Sequence, residues 1–244
     1  MFPTAPPREP EIEAGPEPAL ALPEDLQPDI EMLVTEDDTP VDNLFSEKQQ
    51  RLLTETLYTS WAGPEEGRPF LASANVGIFA SVRRPPLVPD VFLSLDVQPA
   101  ENLWEKRHRT YLLWEFGKPP EVVIEVVSNR VGGEAGRKRT EYARMGVIYY
   151  AIFDPLKQIQ PEALLVYVLQ GGDYVLMEHG WLPHVGLGLT VWRGEYEGQK
   201  DEWLRWCDRE GNVLPTGAER AEQERQRAER LAAQLRALGA EPEK

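Results

Sequence analysis

Apolar runs alternate with short polar stretches after about residue 41, which indicates a series of helices and strands. The first is a predicted helix with Ser46 as its N-cap, ending at the Gly63-Pro64 pair. Its inward face would carry Leu52, Leu53, Thr56, Leu57 and Trp61. The segments "FLASANVGIFAS" and "PDVFLSLDV" then predict strands separated by the turn-prone "RRPP". The segment "EKRHRTYLLWEFGKPP" is interpreted as a polar excursion or a short helix.

The middle of the chain predicts a strand, a helix and a second strand. "PEVVIEVVS" has the apolar character of a strand buried on both faces, "EAGRKRTEYARMG" is a helix ending near Gly146, and "VIYYAIFDP" is the next strand. This order is that of a βαβ-like unit, although it does not reveal the order of the strands in the sheet. "ALLVYVLQGGDYVLME" predicts a hairpin turning at Gly171-Gly172.

Glu125 interrupts the most apolar of these strands. It lies between Ile124 and Val126, where an isolated carboxylate costs several kcal/mol unless a partner or a cation compensates for its charge. Two interpretations follow from the residues alone: a buried ion pair or a metal site.

Composition changes this picture little. The 244 residues are 41% hydrophobic with seven Trp, enough for one sizeable core. A single cysteine, Cys207, excludes an internal disulfide framework and a cysteine-rich zinc site, and it favours a reducing cytoplasm. No apolar run approaches the length of a membrane span, and no secretion signal is recognised at the N-terminus, so no membrane partner is expected.

Charge divides the chain more clearly. Residues 1–40 hold eleven acids and one base, whereas the whole chain has a net charge of −15. We therefore predict a disordered or loosely draped Pro-rich acidic arm at 1–40, an α/β domain at 41–215 and a charged helix at 216–244. The terminal helix offers about two heptads, too few to establish a coiled coil. The stretch 83–144 is slightly basic, with eleven Lys/Arg against nine Asp/Glu, so global acidity does not exclude nucleic acid.

Four polar residues in the βαβ unit and the strand before it are suited to metal-assisted chemistry. Asp90 begins one predicted strand and Glu125 lies in another, while Glu134 and Lys138 share a helix face. Two carboxylates on neighbouring strands could hold Mg²⁺, and a nearby lysine could orient a water or neutralise charge on a phosphorane-like transition state.

At these residues the chain resembles the Uma-type restriction endonuclease family of the PD-(D/E)XK nuclease superfamily. The resemblance rests on "PDVFLSLDV", "PPEVVIEVVS", the spacing from Glu134 through Lys138 to Tyr142, and "GVIYYAIFDP", and it extends from about Asp42 into "LRWCDREGNVLPTGAERAE". It implies a restriction-endonuclease-like α/β core, with a mixed central sheet flanked by helices and a metal site at one edge.

The resemblance also assigns roles to the four residues. Asp90 and Glu125 match the metal-binding acids, Lys138 the catalytic lysine, and Glu134 the auxiliary acid that precedes it. The chain departs from the superfamily pattern at Val127, where a lysine is expected, so Lys138 must reach the site from the helix. The implied cofactor is Mg²⁺, with Mn²⁺ as a substitute.

Simpler interpretations remain for several residues. Asp90 is a residue type that commonly starts a strand after a turn. Glu134 and Lys138 have the spacing of an ordinary surface ion pair on a helix. Glu47 is interpreted either as part of a solvated helix face or as an extra acid of the site. Glu121 shares the parity of Glu125, and Asp96 is interpreted as structural. The turn "KRHRTY" is either a solvated basic turn or a phosphate contact.

The sequence therefore predicts a Mg²⁺-dependent endonuclease acting on phosphodiester bonds of nucleic acid, with DNA favoured over RNA. The alternative is a non-catalytic interaction protein that keeps a nuclease-like fold and works through its arm and terminal helix. A homodimer would account for double-strand cutting, but the sequence leaves the oligomeric state open.

Overall fold

The computed structural model describes residues 22–31, 33, 43–64, 67–128 and 134–237. The helices of this part of the chain are α1 Leu44–Ser60, α2 Leu113–Phe116, α3 Glu134–Met145 and α4 Gly217–Ala237. The strands are β1 Phe70–Ala74, β2 Ile78–Phe79, β3 Val91–Leu95, β4 Tyr111–Leu112, β5 Val122–Val126, β6 Tyr149–Phe153, β7 Leu164–Gln170, β8 Asp173–Leu176, β9 Trp181–Leu182, β10 Leu187–Tyr196 and β11 Gln199–Cys207.

A six-stranded mixed sheet forms the centre of the fold, in the order β1-β3-β5-β6-β7-β8. Only β5 and β6 are parallel among these strands, and α3 connects them, so the predicted βαβ unit is confirmed. The predicted hairpin is also confirmed: β7 and β8 pair through Gln170 and Asp173, and both glycines between them have positive φ. The predicted α/β class with a mixed central sheet is therefore confirmed.

The two faces of the central sheet pack in separate hydrophobic clusters. Because side chains alternate along β5, Val122, Ile124 and Val126 enter the cluster that includes Leu53 and Leu57 of α1. Val123 points to the opposite face, where it packs with Tyr142 of α3. Burial on both faces explains why this strand reads as a continuous apolar run.

Helix α1 satisfies backbone groups at the edges of two sheets. β11 is the edge strand of a second sheet, of order β11-β10-β9. The buried Gln49 of α1 donates to the backbone O of Leu204 in β11 and accepts from its backbone N, both at 2.9 Å. At the edge of the central sheet, the Tyr58 hydroxyl accepts from Ala72 N at 2.9 Å and donates to Ala72 O at 3.0 Å. Side chains of α1 therefore satisfy backbone groups on the edge strands β11 and β1.

The C-terminal helix begins at a capping box. Thr216 Oγ1 accepts from Glu219 N, and the Glu219 carboxylate accepts from Thr216 N. The same carboxylate binds the buried guanidinium of Arg205 at 2.6 and 3.0 Å. No residue of α4 is buried.

Three details differ from the sequence-based expectations. Asn43, and not Ser46, caps α1, because its side chain accepts from Phe45 N and Ser46 N. The helix ends at Ser60, before the Gly63-Pro64 pair. The first predicted strand is divided into β1 and β2 by Asn75, whose φ of 55° turns the chain.

Most of the predicted acidic arm lies outside the described residues, but part of residues 22–33 can be placed. Leu22 N donates to Trp114 O at 3.1 Å, and Leu33 is buried with Phe79, Leu112 and Trp114. These described residues thus pack against α2, β2 and β4.

Within the described ranges, no helix has the length and apolar character needed to cross a membrane.

Replacing Gln49 by Ala should lower the free energy of unfolding by about 2–4 kcal/mol, because Leu204 would lose hydrogen-bond partners for two backbone groups. Urea denaturation followed by far-UV circular dichroism measures the change. The matched control is Glu47→Ala on the exposed side of the same helix, where the pair with Arg51 should be worth less than about 1 kcal/mol. Equal effects of the two substitutions would contradict the proposed role of Gln49.

Candidate metal-dependent active site

Two carboxylates meet on one face of the central sheet. Asp90 immediately precedes β3, and the antiparallel pairing of Val91 with Ile124 brings it alongside Glu125 of β5. The contact is direct at the backbone, because Asp90 Oδ2 accepts a hydrogen bond from Val126 N at 2.6 Å. The sequence therefore correctly predicts that these two residues come together.

Helix α3 supplies two partners for the Glu125 carboxylate. Lys138 Nζ lies 2.9 Å from Oε2, and the Tyr142 hydroxyl donates to Oε1 at 2.9 Å. These two residues are four positions apart and so project from the same side of the helix. Lys138 also donates to Val88 O at 3.2 Å, which ties the helix to the segment before Asp90.

Two amide side chains complete the site, and the sequence-based prediction missed both. Gln50 of α1 donates to Asp90 Oδ1 at 2.9 Å and accepts from Asn75 Nδ2 at 2.8 Å. Asn75 in turn donates its backbone N–H to Asp90 O at 3.3 Å. Gln50 could have been found from its position on the inward face of the predicted helix α1, because a buried amide requires polar partners.

Burial controls the electrostatics of Glu125. It raises the pKa of this carboxyl group to about 7; Lys138 opposes the rise, and the nearby charge of Asp90 adds to it. The pKa of Tyr142 is also raised well above its ordinary value, first by burial and then by the charge of Glu125. The Lys138 and Glu125 side chains keep 20% and 13% of their surface exposed, so the site is only partly open to solvent.

The donor chemistry of the site fits a hard divalent cation. Asp90 and Glu125 lie close enough for one carboxylate to raise the pKa of the other, and a cation between them would relieve that repulsion. No group of three or more His, Cys, Asp or Glu residues suited to a metal is found among the described residues. Mg²⁺ does not require such a group, because it commonly binds through one or two carboxylates and several waters.

The structure brings Asp90, Glu125 and Lys138 together. Lys138 reaches Glu125 from helix α3, as expected from the absence of a lysine at position 127, just after β5. Their roles in metal binding and catalysis stay predictions. The side chain of Glu134, the predicted auxiliary acid, lies outside the described residues.

The other candidate acids have partners elsewhere. Glu47 pairs with Arg51 on the outer side of α1. Glu121 accepts from Leu95 N at 2.8 Å and pairs with Lys118, at the opposite end of β5 from Val126. Asp96 forms a two-point ion pair with Arg68. Their described contacts support structural roles.

A mixed sheet with paired carboxylates and a helix-borne lysine is an arrangement suited to metal-assisted hydrolysis. The chain belongs to the Uma2 family, described as "Putative restriction endonuclease", whose model matches residues 22–193. The match begins before the expected start near Asp42 and ends within β10, so the predicted likeness in the segment 204–222 lies beyond it.

Comparison with solved structures gave a crystal structure described as "a putative nuclease belonging to DUF820" from Anabaena variabilis. It matches with a TM-score of 0.38 and 14% sequence identity, covering 58% of this chain and 71% of that chain. Comparison with curated proteins found no match.

Without divalent metal, the wild type should lose stability relative to Glu125→Gln as pH rises from about 5 to 8. The folded carboxyl group has a pKa of about 7, compared with its ordinary value of 4.5, so the folded state binds more protons in this interval. The relative loss should be on the order of 1–3 kcal/mol. Urea denaturation in EDTA at several pH values measures it, and parallel stability profiles for the two proteins would contradict the assignment.

Proposed function

We propose that this protein is a Mg²⁺-dependent endonuclease that hydrolyses phosphodiester bonds in nucleic acid, with DNA as the favoured substrate. The observation that carries this proposal is the convergence of Asp90, Glu125 and Lys138 on one partly open sheet face. Membership of the Uma2 family supports the same class of activity.

Each residue of the site has a role consistent with its contacts. Asp90 and Glu125 would hold the cation, and Gln50 and Tyr142 would orient their carboxylates. A bound divalent cation supplies Lewis acidity and lowers the pKa of coordinated water. Lys138 would orient the attacking water or stabilise the negative charge that develops on the phosphorus oxygens.

A basic surface beside α3 is suited to the phosphates of the substrate. Arg84, Arg137 and Arg144 line a cavity of about 560 Å³ together with one acid, Glu141, and Arg137 directly precedes Lys138. Glu141 contacts Arg144 at 2.7 Å and Arg84 at 3.4 Å. The three guanidinium groups outnumber the single carboxylate, which favours polyanion binding despite the net charge of the chain.

Helix α4 favours the second candidate function, that of an interaction protein. Leu231 and Leu235 remain 51% and 41% exposed on a helix with no buried residue. Absence of both cleavage and calorimetric Mg²⁺ or Mn²⁺ binding would support this alternative and leave Glu125 as part of a buried ion pair.

Asp90→Asn, Glu125→Gln and Lys138→Met should each reduce cleavage about 10²–10⁴-fold, because each removes a proposed ligand or charge from the reacting centre. Relaxation of plasmid DNA and cutting of single-stranded DNA and RNA, with Mg²⁺ or Mn²⁺, measure the effect. Glu47→Gln is the matched control, since it changes an acid on α1 that lies outside the site. Full activity in any of the three site variants would remove that residue from the mechanism.

Removing a phosphate contact should weaken binding and reduce its dependence on salt. Arg137→Ser should lower the slope of log affinity against log salt by about 1, measured by anisotropy of labelled duplex DNA in EDTA. Arg193→Ser is the control. This arginine is also exposed, with 84% of its side-chain surface accessible, but it lies in the β10–β11 hairpin and not in the basic cavity beside α3. An unchanged slope in Arg137→Ser would place the phosphates elsewhere.

A further inference from the structure

A largely apolar cavity of about 590 Å³ opens on the sheet face that carries the candidate site. Ser73 of β1 and Phe92 of β3 are paired across the strands and form part of its lining. Phe92 is two residues after Asp90 and so points to the same face, about 7 Å further along the strand. The cavity therefore lies on the same sheet face as the two carboxylates, which are not among its lining residues.

Flat aromatic surfaces dominate one wall of this cavity. The rings of Tyr111 and Phe116 are stacked with centroids 4.3 Å apart, and Phe92 meets Tyr111 edge-on at 5.2 Å. Tyr111 and Phe92 are only 1% exposed, so they form the fixed base of the wall, and the exposed ring surfaces of the lining belong to Trp104 and Tyr58. Thr110 and His108 add polar groups to the same lining.

Trp104 stands at the rim with 84% of its surface exposed. Its backbone is held at both ends: Trp104 N donates to Asn102 Oδ1 at 3.0 Å, and Trp104 O accepts from two Arg109 nitrogens at 2.9 and 3.1 Å. His108 Nδ1 lies 2.6 Å from Asn102 O and closes the same loop. A braced loop thus presents a large aromatic ring to solvent beside an apolar cavity.

The charge around this loop indicates the kind of occupant. Residues 104–109 carry Lys106, Arg107 and Arg109 against one acid of their own, Glu105, and Glu31 lies 3.8 Å from Lys106, so the loop keeps an excess of positive charge. An apolar peptide would use the aromatic wall alone, whereas a nucleotide uses both a flat ring surface and adjacent positive charge. Such a combination is typical of surfaces that bind unpaired nucleotides.

We propose that this cavity binds a nucleobase of a single-stranded or locally unpaired nucleic acid, beside the phosphodiester held at Asp90 and Glu125. The base would stack on Trp104 and enter the apolar cavity, and its flanking phosphates would lie along the basic loop. A volume of about 590 Å³ lies within the range of small-molecule sites. The inference rests on the proposed function for the identity of its ligand, and it defines the substrate as one whose bases are exposed.

Binding without cleavage tests the cavity. The full chain in EDTA is titrated into a labelled dT12 strand and a 12-mer of the same phosphate backbone in which every position is abasic. The ratio of the two dissociation constants isolates the contribution of the bases, because the phosphates are the same. We expect the wild type to bind dT12 at least about tenfold more tightly.

Two variants alter the cavity without changing the candidate catalytic residues. Trp104→Ala removes a stacking surface and Ser73→Phe fills the space; each should reduce the ratio at least about fivefold. Leu156→Ala is the control, since Leu156 is 74% exposed outside the cavity and its loss should leave the ratio unchanged. Circular dichroism confirms that the variants remain folded.

The outcomes separate this inference from the proposed nuclease. A wild-type ratio near one, or a ratio unaffected by both cavity variants, overturns the base site even if Mg²⁺-dependent cutting is observed. A changed oligomeric state of Trp104→Ala with an unchanged ratio overturns it in favour of an interface between copies of the chain. A ratio that falls in both variants supports the base site even if no cutting is detected.

Discussion

Every sheet edge exposes backbone donors and acceptors that need partners, and α1 meets this requirement at two sheets. Gln49 binds both backbone groups of Leu204, and Tyr58 binds both backbone groups of Ala72. These directional bonds fix the position of α1 more strictly than apolar contacts alone, because hydrophobic packing has little directional preference. Gln50, the next residue after Gln49, is thereby brought to Asp90. Adjacent residues of α1 thus satisfy the edge of the second sheet and orient Asp90 of the candidate site on the central sheet.

A carboxylate at Glu125 lowers the stability of the buried strand β5 unless another group compensates for its charge. Desolvation of a carboxylate is unfavourable, and a buried ion pair is often no more stable than an apolar pair of similar volume. Lys138 and Tyr142 satisfy both Glu125 oxygens, and Gln50 and Val126 N satisfy those of Asp90, but the two carboxylates still raise each other's cost of ionisation. A divalent cation, as proposed, would compensate the charges of both acids at once.

The sequence predicted those parts of the structure that depend on local periodicity. The apolar alternation of β5, the helix with Lys138 and Tyr142 on one side, and Gly171-Gly172 at a hairpin turn all follow from short-range patterns. The second sheet was not predicted, because the pairing of β10 with β11 and their position against α1 are tertiary facts. Gln50 and Asn75 were missed for the same reason: an amide reveals no role until the fold brings a partner to it.

The arrangement of donors around the two carboxylates indicates a site organised before substrate binds. Gln50 and the backbone of Val126 orient the two oxygens of Asp90, while Tyr142 and Lys138 orient those of Glu125. These donors come from α1, β5 and α3, so no single element can shift without disturbing a carboxylate. Such fixed geometry lowers the reorganisation required at the moment of reaction, which is the main contribution a protein makes to phosphoryl chemistry. The aromatic cavity on the same sheet face is also built on fixed groups, because Phe92 and Tyr111 of its wall are buried. If the proposed base site is occupied as inferred, a rigid site of this kind would select substrates whose exposed phosphodiester and base already fit, and it would favour flexible, unpaired nucleic acid over a continuous duplex.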